Sequence, residues 1–213
     1  MKISILLPYK ENFSKLNAGA VSISVKDTTN NSKYKKIINI FGSTDYKDIL
    51  SKKYINLNYE TVFFKSSTKT YIKKFIDNED LYKSDLIEIH NRPSYLDPIK
   101  KVTDAKIIFY FHNDPLSMTG SKNIKDRYYI LNNTNHIVFN SQWSKNRFFT
   151  NLKITEQFKK KVSVIYQSVK KNKINFNKKK KIISFIGKLN KAKGYDIFGK
   201  AIIKILDKHK DWK

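Results

Sequence analysis

The sequence predicts an α/β chain. A parallel sheet with helices on both faces should fill residues 1–168, a linker 169–181, and the first strand, loop and helix of a second unit 182–213. Three observations carry this. Short β-rich runs alternate with helical patterns through the first 168 residues, the rhythm of a parallel sheet whose crossovers are helices. The runs are mostly apolar, as strands buried on both faces are. Polar clusters follow Leu7, Ile89, Phe111 and Phe139, the carboxyl ends of the predicted strands, where such sheets bind ligands.

Each element has a local reason. Residues 1–7 form a β-rich run that Pro8 ends, and a loop over 9–17 follows. Ala18-Gly19-Ala20 then opens a helix through about residue 28. A second strand spans 37–41, closed by Gly42, and a short third spans 54–57. Residues 68–82 read as a helix with Tyr71, Ile72, Phe75 and Ile76 on one face. A strand at 86–89 runs into His90-Asn91-Arg92-Pro93, and a short helix covers 95–102. The strand at 106–111 runs into His112-Asn113-Asp114-Pro115. Then come a helix at 123–131, a strand at 136–139, a helix at 141–152 and a strand at 162–166. The polar stretch 168–181 ends in four lysines and reads as a solvated, self-repelling linker rather than a binding patch.

The most informative stretch is 182–203. An apolar β-type run over 182–186 is stopped by Gly187, and a loop with Lys188, Lys191 and Lys193 follows. A helical pattern then places Ile197, Phe198, Ala201, Ile202, Ile205 and Leu206 as its apolar residues. A helix N-terminus has unpaired N–H groups and partial positive charge, and lysines beside it add full charges. The ligand that suits such a turn is a phosphate or diphosphate. The alternative is a surface loop with solvated lysines.

Gly187-Lys188-Leu189, three residues, then Lys193-Gly194-Tyr195-Asp196 and an apolar helix resemble the "G-(R/K)-L-x-x-x-K-G-x-D" segment of retaining GT-B glycosyltransferases of family four. The resemblance implies two Rossmann-like domains, the first on the acceptor side and the second binding a nucleotide-sugar. It places the donor diphosphate on Lys188 and Lys193; lysine at the first position keeps the charge but loses the bidentate geometry of the family's usual arginine. Ala18-Gly19 matches the position of the family's glycine loop near the donor phosphate, or is a plain helix start. His112 matches a histidine that contacts the donor sugar, or is a loop histidine paired to backbone. Asn91, Arg92 and Ser141, at strand ends, are the candidate acceptor contacts. The acceptor implied is a glycan or lipid-linked glycan of a cell-surface polysaccharide or glycolipid. The family transfers on one face of the sugar, the leaving diphosphate helping to deprotonate the acceptor. No cofactor, metal or protein base is therefore expected. The family's second domain runs on past the phosphate helix and carries a Glu-x7-Glu segment, so the chain is expected to be partial, inactive alone, and to leave the apolar stripe of its last helix uncovered.

Composition narrows the rest. Lys+Arg 43 against Asp+Glu 18 gives a formal charge of +25, which admits nucleic acid or the surface of an anionic membrane. Lysine is spread along the whole chain, and arginine, the usual reader of bases, occurs only at Arg92, Arg127 and Arg147, so nucleic acid is not expected. There is no cysteine, which excludes disulfides and cysteine metal sites, and the four histidines lack metal-ligand spacing. No apolar run reaches the ~20 residues of a membrane span, and the first strand is too short for a signal peptide, so a cytoplasmic protein is expected, with peripheral contact at the inner face of the membrane as the further option. The chain has no G-x-G-x-x-G, no Walker loop and no nucleophile elbow. Two rivals stand beside the glycosyltransferase reading: a GT-B nucleotide-sugar epimerase and a non-enzymatic, basic nucleic-acid-binding module.

Overall fold

The computed structural model describes residues 1–57, 67–168, 175, 179–187 and 189–213. Its contacts fall into two compact units, Met1–Ser168 and Val169–Lys213.

Among its described residues the first unit holds one sheet of seven strands: β1 (Ile3–Leu6), β2 (Ile38–Gly42), β3 (Tyr54–Asn56), β4 (Leu86–His90), β5 (Lys106–Phe111), β6 (His136–Phe139) and β7 (Val162–Val164). All neighbours pair in parallel, in the order β3-β2-β1-β4-β5-β6-β7. The chain builds outward from β1 to β3, returns to the other side of β1, and builds outward again to β7. Its direction reverses between β1 and β4, whose register pairs Leu6 with Ile89. In open sheets of this kind such a reversal marks the crevice at the carboxyl ends of the strands where ligands are taken.

The crossovers are α1 (Ala20–Asn31), α2 (Ser67–Tyr82), α3 (Leu96–Lys100), α4 (Ile124–Asn133), α5 (Gln142–Phe149) and α6 (Glu156–Lys160). The expected helix at 95–102 is a single 3-10 turn, Pro93–Tyr95, followed by the short α3. The α6 turn, unforeseen from sequence, is capped by the Thr155 hydroxyl.

The two faces of the sheet differ. One carries Leu6, Phe41, Ile87, Ile89, Phe109, Phe111 and Phe139 against α2, α3, α4 and α5, in a core that includes Tyr71, Phe75, Ile99, Ile130 and Phe148. Phe111 and Phe139 stack at 5.3 Å, and Phe148 leans on both rings. The other face has its apolar cluster at the β1–β2 end, where Ile3, Ile5, Ile38 and Ile40 pack with Val21 and Val25 of α1. Along β4, β5 and β6 it is mixed, with Glu88, His90, Tyr110 and His136 beside Ile108 and Val138. The central strand β4, expected to be apolar on both faces, is apolar on one and polar on the other, because Glu88 and His90 alternate with Ile87 and Ile89.

In the second unit α7 (Tyr195–Lys208) forms as expected, behind a 3-10 turn at Lys191–Lys193. The strand expected at 182–186 does not form. A parallel strand needs a neighbour, and among the described residues the backbone bonds of this stretch to another segment are Ile183 N–H to the Lys213 carbonyl and Lys213 N–H to the Lys181 carbonyl. Phe185 packs instead on Phe198 of α7, with ring centroids 5.4 Å apart. No residue of α7 is buried, and Ile197 and Ile203 are 70% and 64% exposed.

Candidate functional site

Four segments meet at the carboxyl ends of the central strands: residues 8–11 after β1, His90-Asn91-Arg92 at β4, His112-Asn113-Asp114 after β5, and Asn140-Ser141 after β6. Alternation decides what they present. Ile89 and Phe111 turn into the core, so His90 and His112, one residue on, turn to the polar face. Register pairs His90 with Tyr110. The Asn91 backbone, at φ 56°, is in the left-handed region that asparagine tolerates better than most residues. There its N–H donates to the Tyr110 carbonyl at 2.8 Å, and its Oδ1 accepts the His112 N–H at 3.2 Å. The Asn140 amide donates to the His112 carbonyl at 2.7 Å. Asn91 and Asn140 thus clamp the His112 backbone from both neighbouring strands.

The side chains form a polar row. Glu88 Oε1 lies 2.7 Å from His90 Nε2, His90 Nδ1 lies 2.8 Å from His112 Nε2, and His112 Nδ1 lies 3.0 Å from the Gln167 side-chain amide. The His90 ring stacks on Tyr110 at 4.9 Å and 3°, and it meets the His112 ring edge to edge, their planes 22° apart. His90 is 3% exposed. Burial, with His90 second, pushes the His112 pKa down to about 3, so His112 is neutral at physiological pH. Burial first, and the Glu88 carboxylate next, push Tyr110 up to about 12. A neutral imidazole at a crevice wall orients a hydroxyl; it does not supply charge.

At β1 the helix N-terminus is already occupied. Gly19 is the N-cap of α1, in extended backbone, and the Glu11 carboxylate accepts the Ser22 N–H at 3.0 Å. A Cβ on Gly19 would collide with Glu11 Oε1. The site expected for a donor phosphate therefore holds a carboxylate of the chain itself. Nearby, Tyr9 N–H donates to the Tyr95 hydroxyl at 3.1 Å, tying the β1 loop to the turn after β4. Arg92 Nε is buried with no hydrogen-bond partner among the described residues. Ser141 caps α5: its hydroxyl accepts the Ser144 N–H at 3.1 Å. Asp114 takes Arg147 through both carboxylate oxygens, at 3.0 and 3.3 Å, and that pair holds the Asp114 pKa below the ordinary carboxylate value. Arg127 is 3% exposed and is spent on the carbonyls of Phe148 and Thr150, which end α5.

In the second unit Lys193 is exposed and stands immediately before Gly194, the N-cap of α7. The Asn190 side chain accepts the Lys193 N–H at 3.1 Å and fixes the turn. Gly194 has φ 72°, which explains the glycine. Lys188 lies outside the described residues. Among the described residues no group of three His, Asp or Glu side chains could hold a metal ion, and no helix is long and apolar enough to cross a membrane.

Of the residues singled out from sequence, His112 and Asn91 come together directly, with Arg92 following Asn91 in the chain. Six residues of the site were not singled out: Glu11, Glu88, His90, Tyr110, Asn140 and Gln167. Two of them left a signal, since Glu88 and His90 alternate with isoleucines in an otherwise apolar strand. Glu11 and Gln167 sit in loops and left none.

No protein-family model and no curated protein matches the chain. Solved structures do match. HepE from Anabaena, in complex with UDP-glucose, superposes with a TM-score of 0.54 at 16% identity, over 79% of this chain and 44% of that one. Its complex with UDP and glucose gives 0.55 at 15% identity, over 79% and 45%. Sucrose-phosphate synthase from Thermosynechococcus elongatus gives 0.52 at 12% identity, over 78% and 47%. The chain thus spans a little under half the length of these structures, and at such identities the likeness is one of fold. The sheet of Met1–Ser168, its strand order and these neighbours together make it a Rossmann-like parallel α/β fold of GT-B type.

Proposed function

We propose that the chain belongs to a glycosyltransferase that transfers a sugar from a nucleotide-sugar donor, and that the crevice at the carboxyl ends of β1, β4, β5 and β6 takes part in binding its substrates. The observation that carries this is the neutral His112, clamped by Asn91 and Asn140 at the edge of that crevice. It is supported by the shared fold with HepE, which binds UDP-glucose. In this reading His112 orients the donor sugar, and Lys188 and Lys193 meet the diphosphate beside the N-terminus of α7. The Gly19 loop lies along the donor phosphate, and Asn91 and Arg92 line the acceptor side. Ser141 acts there only if a ligand competes with its capping bond. Transfer retains configuration, with the leaving diphosphate assisting removal of the acceptor proton, and no metal or cofactor takes part. The lysines supply charge at the leaving group, and the rest of the protein's share is positioning. The acceptor is a glycan or lipid-linked glycan of a surface polysaccharide, met at the face of an anionic membrane. Residues 1–168 are the acceptor-side domain and 182–213 belong to the donor-binding one, joined by 169–181.

The test is binding. UDP-glucose, UDP and GDP-mannose are titrated onto the 15N-labelled chain. The expected result is saturable movement of backbone signals at Asn91, His112 and Gly194, with weaker binding in His112→Ala, and in Lys193→Ala more than in Lys191→Ala. Saturation by none of the three ligands, or movement confined to other surfaces, would overturn the reading.

A further inference from the structure

We propose that His90, anchored by Glu88, is a positioning residue: it holds the proton of His112 on Nε2 and leaves Nδ1 bare, as the acceptor for a hydroxyl of the bound sugar. The contact with the sugar rests on the function proposed above; the placement of the proton does not.

The argument follows the row of side chains from its buried end. An ionised carboxylate only accepts, so His90 Nε2, 2.7 Å from Glu88 Oε1, carries the hydrogen. A neutral imidazole has one N–H, so His90 Nδ1 is an acceptor. Its partner at 2.8 Å, His112 Nε2, must then donate. His112 has no second hydrogen, and its Nδ1 is left to accept from the Gln167 amide at 3.0 Å. With a single N–H on His90, held on the nitrogen that faces Glu88, each assignment follows from the one before it. Geometry keeps the row in line. The His90 ring lies nearly parallel to Tyr110, and the clamped His112 backbone limits where its ring can go.

Exposure supplies the direction. His90 is 3% exposed, His112 is half-buried and Gln167 is exposed. The fixed end of the row is inside and the replaceable end faces water. An exposed glutamine amide is a donor that a ligand hydroxyl can displace, since each offers one hydrogen to the same nitrogen. The row therefore selects a ligand with a hydroxyl at that place and disfavours one carrying only an acceptor there.

The opposite arrangement is a doubly protonated His90 that donates to His112 Nε2 and forces the hydrogen onto Nδ1. Ring-nitrogen NMR of the full 213-residue chain separates the two, with the His112 signals identified by their loss in His112→Ala. The expected result is a bare Nδ1 and a protonated Nε2. Glu88→Leu, which leaves no acceptor for His90 Nε2, and His90→Phe should both move His112 toward the other tautomer, and Gln167→Ala should leave it unchanged. Leucine is close to glutamate in size, so Glu88→Leu decides the matter if His90→Phe does not fold. A protonated Nδ1 in the unaltered chain, an unchanged tautomer in folded His90→Phe or Glu88→Leu, or a reversal in Gln167→Ala would overturn the positioning role. For the ligand, UDP-glucose should shift His112 Nδ1 and bind about tenfold more weakly in Glu88→Leu, the worth of one hydrogen bond. UDP-glucose binding that leaves Nδ1 unmoved would overturn the sugar contact. A failure to bind at all would instead overturn the function proposed above, while the spectra would still decide the role of His90.

Discussion

Glu11 and Gly19 occupy each other's space: the Glu11 carboxylate lies where a side chain on Gly19 would begin, and from there it accepts the Ser22 N–H. An acidic side chain at a helix N-terminus satisfies an orphan donor and meets the positive end of the helix dipole. It also repels any phosphate that approaches the same end. Glu11→Ala should therefore destabilise the first unit by about 1 kcal/mol and tighten UDP binding. Denaturant unfolding and a UDP titration measure the two effects. Looser binding would show that Glu11 helps hold the ligand.

Gly19→Ala should act on the same pair from the other side. The new methyl displaces the far end of a flexible side chain and not backbone, so the fold survives, but the Ser22 bond is lost. In Glu11→Ala the further change Gly19→Ala should then have little effect. A double-mutant cycle reads this as strong coupling. Additive losses would show that glycine is required by something other than Glu11.

His112 makes stability depend on pH. Its ordinary pKa of 6.5 falls to about 3 in the folded protein. Between those values the unfolded chain holds a proton that the folded chain does not, so this group's share of stability is intact above the window. It is lost as pH falls through the window, by up to about 1.4 kcal/mol per pH unit. His112→Asn removes that slope. Its stability relative to the unaltered chain should rise as pH drops from 6.5 towards 4, measured by urea unfolding at each pH. Parallel curves would mean that His112 titrates normally.

Phe148 carries the packing between α5 and the sheet. It is fully buried and touches Phe111, Phe139 and Phe149. Phe148→Ala should lose about 3–5 kcal/mol. Loss below about 1 kcal/mol would mean that the neighbouring rings collapse into the space.

Gly194 is the fifth case. Its φ of 72° is expensive for an L side chain, and the space around a Cβ there is open, so the penalty is conformational alone. Gly194→Ala should weaken the start of α7 by about 1–2 kcal/mol, and faster amide exchange at Phe198 would report it. Unchanged exchange would show that the turn has relaxed into another conformation.

Much of the fold was legible in the residues. The seven strands of the first unit were placed within about two residues because β-branched and aromatic runs there are closed by Pro8, Gly42 or polar clusters. What could not be read was the pairing. Nothing local in Ile3–Leu6 says that its neighbours are β2 and β4, since partners are chosen by the whole sheet. The strand at 182–186 failed for the same reason: its composition is right, and a strand also requires a neighbour. The place of His112 directly after a strand was legible. The row through Glu88, His90 and Gln167 was not, because it depends on register between strands and on a residue 55 positions further along the chain.

The place of β1 has a consequence during synthesis. This strand is made before either of its neighbours, yet it lies inside the sheet, with Ile3 facing Ile38 on one side and Leu86 on the other. Once β2 has paired, the second edge of β1 stays open until β4 has emerged. For that interval the nascent chain presents a short apolar strand with unpaired backbone groups, the form in which chains join edge to edge. The buried bond from the Ser4 hydroxyl to Glu79 on α2 can form before β4 does, and α2 is the first element able to shelter that edge. Changes at Ser4 or Glu79 are therefore expected to be felt as aggregation in the growing chain before they are felt as lost stability in the finished one.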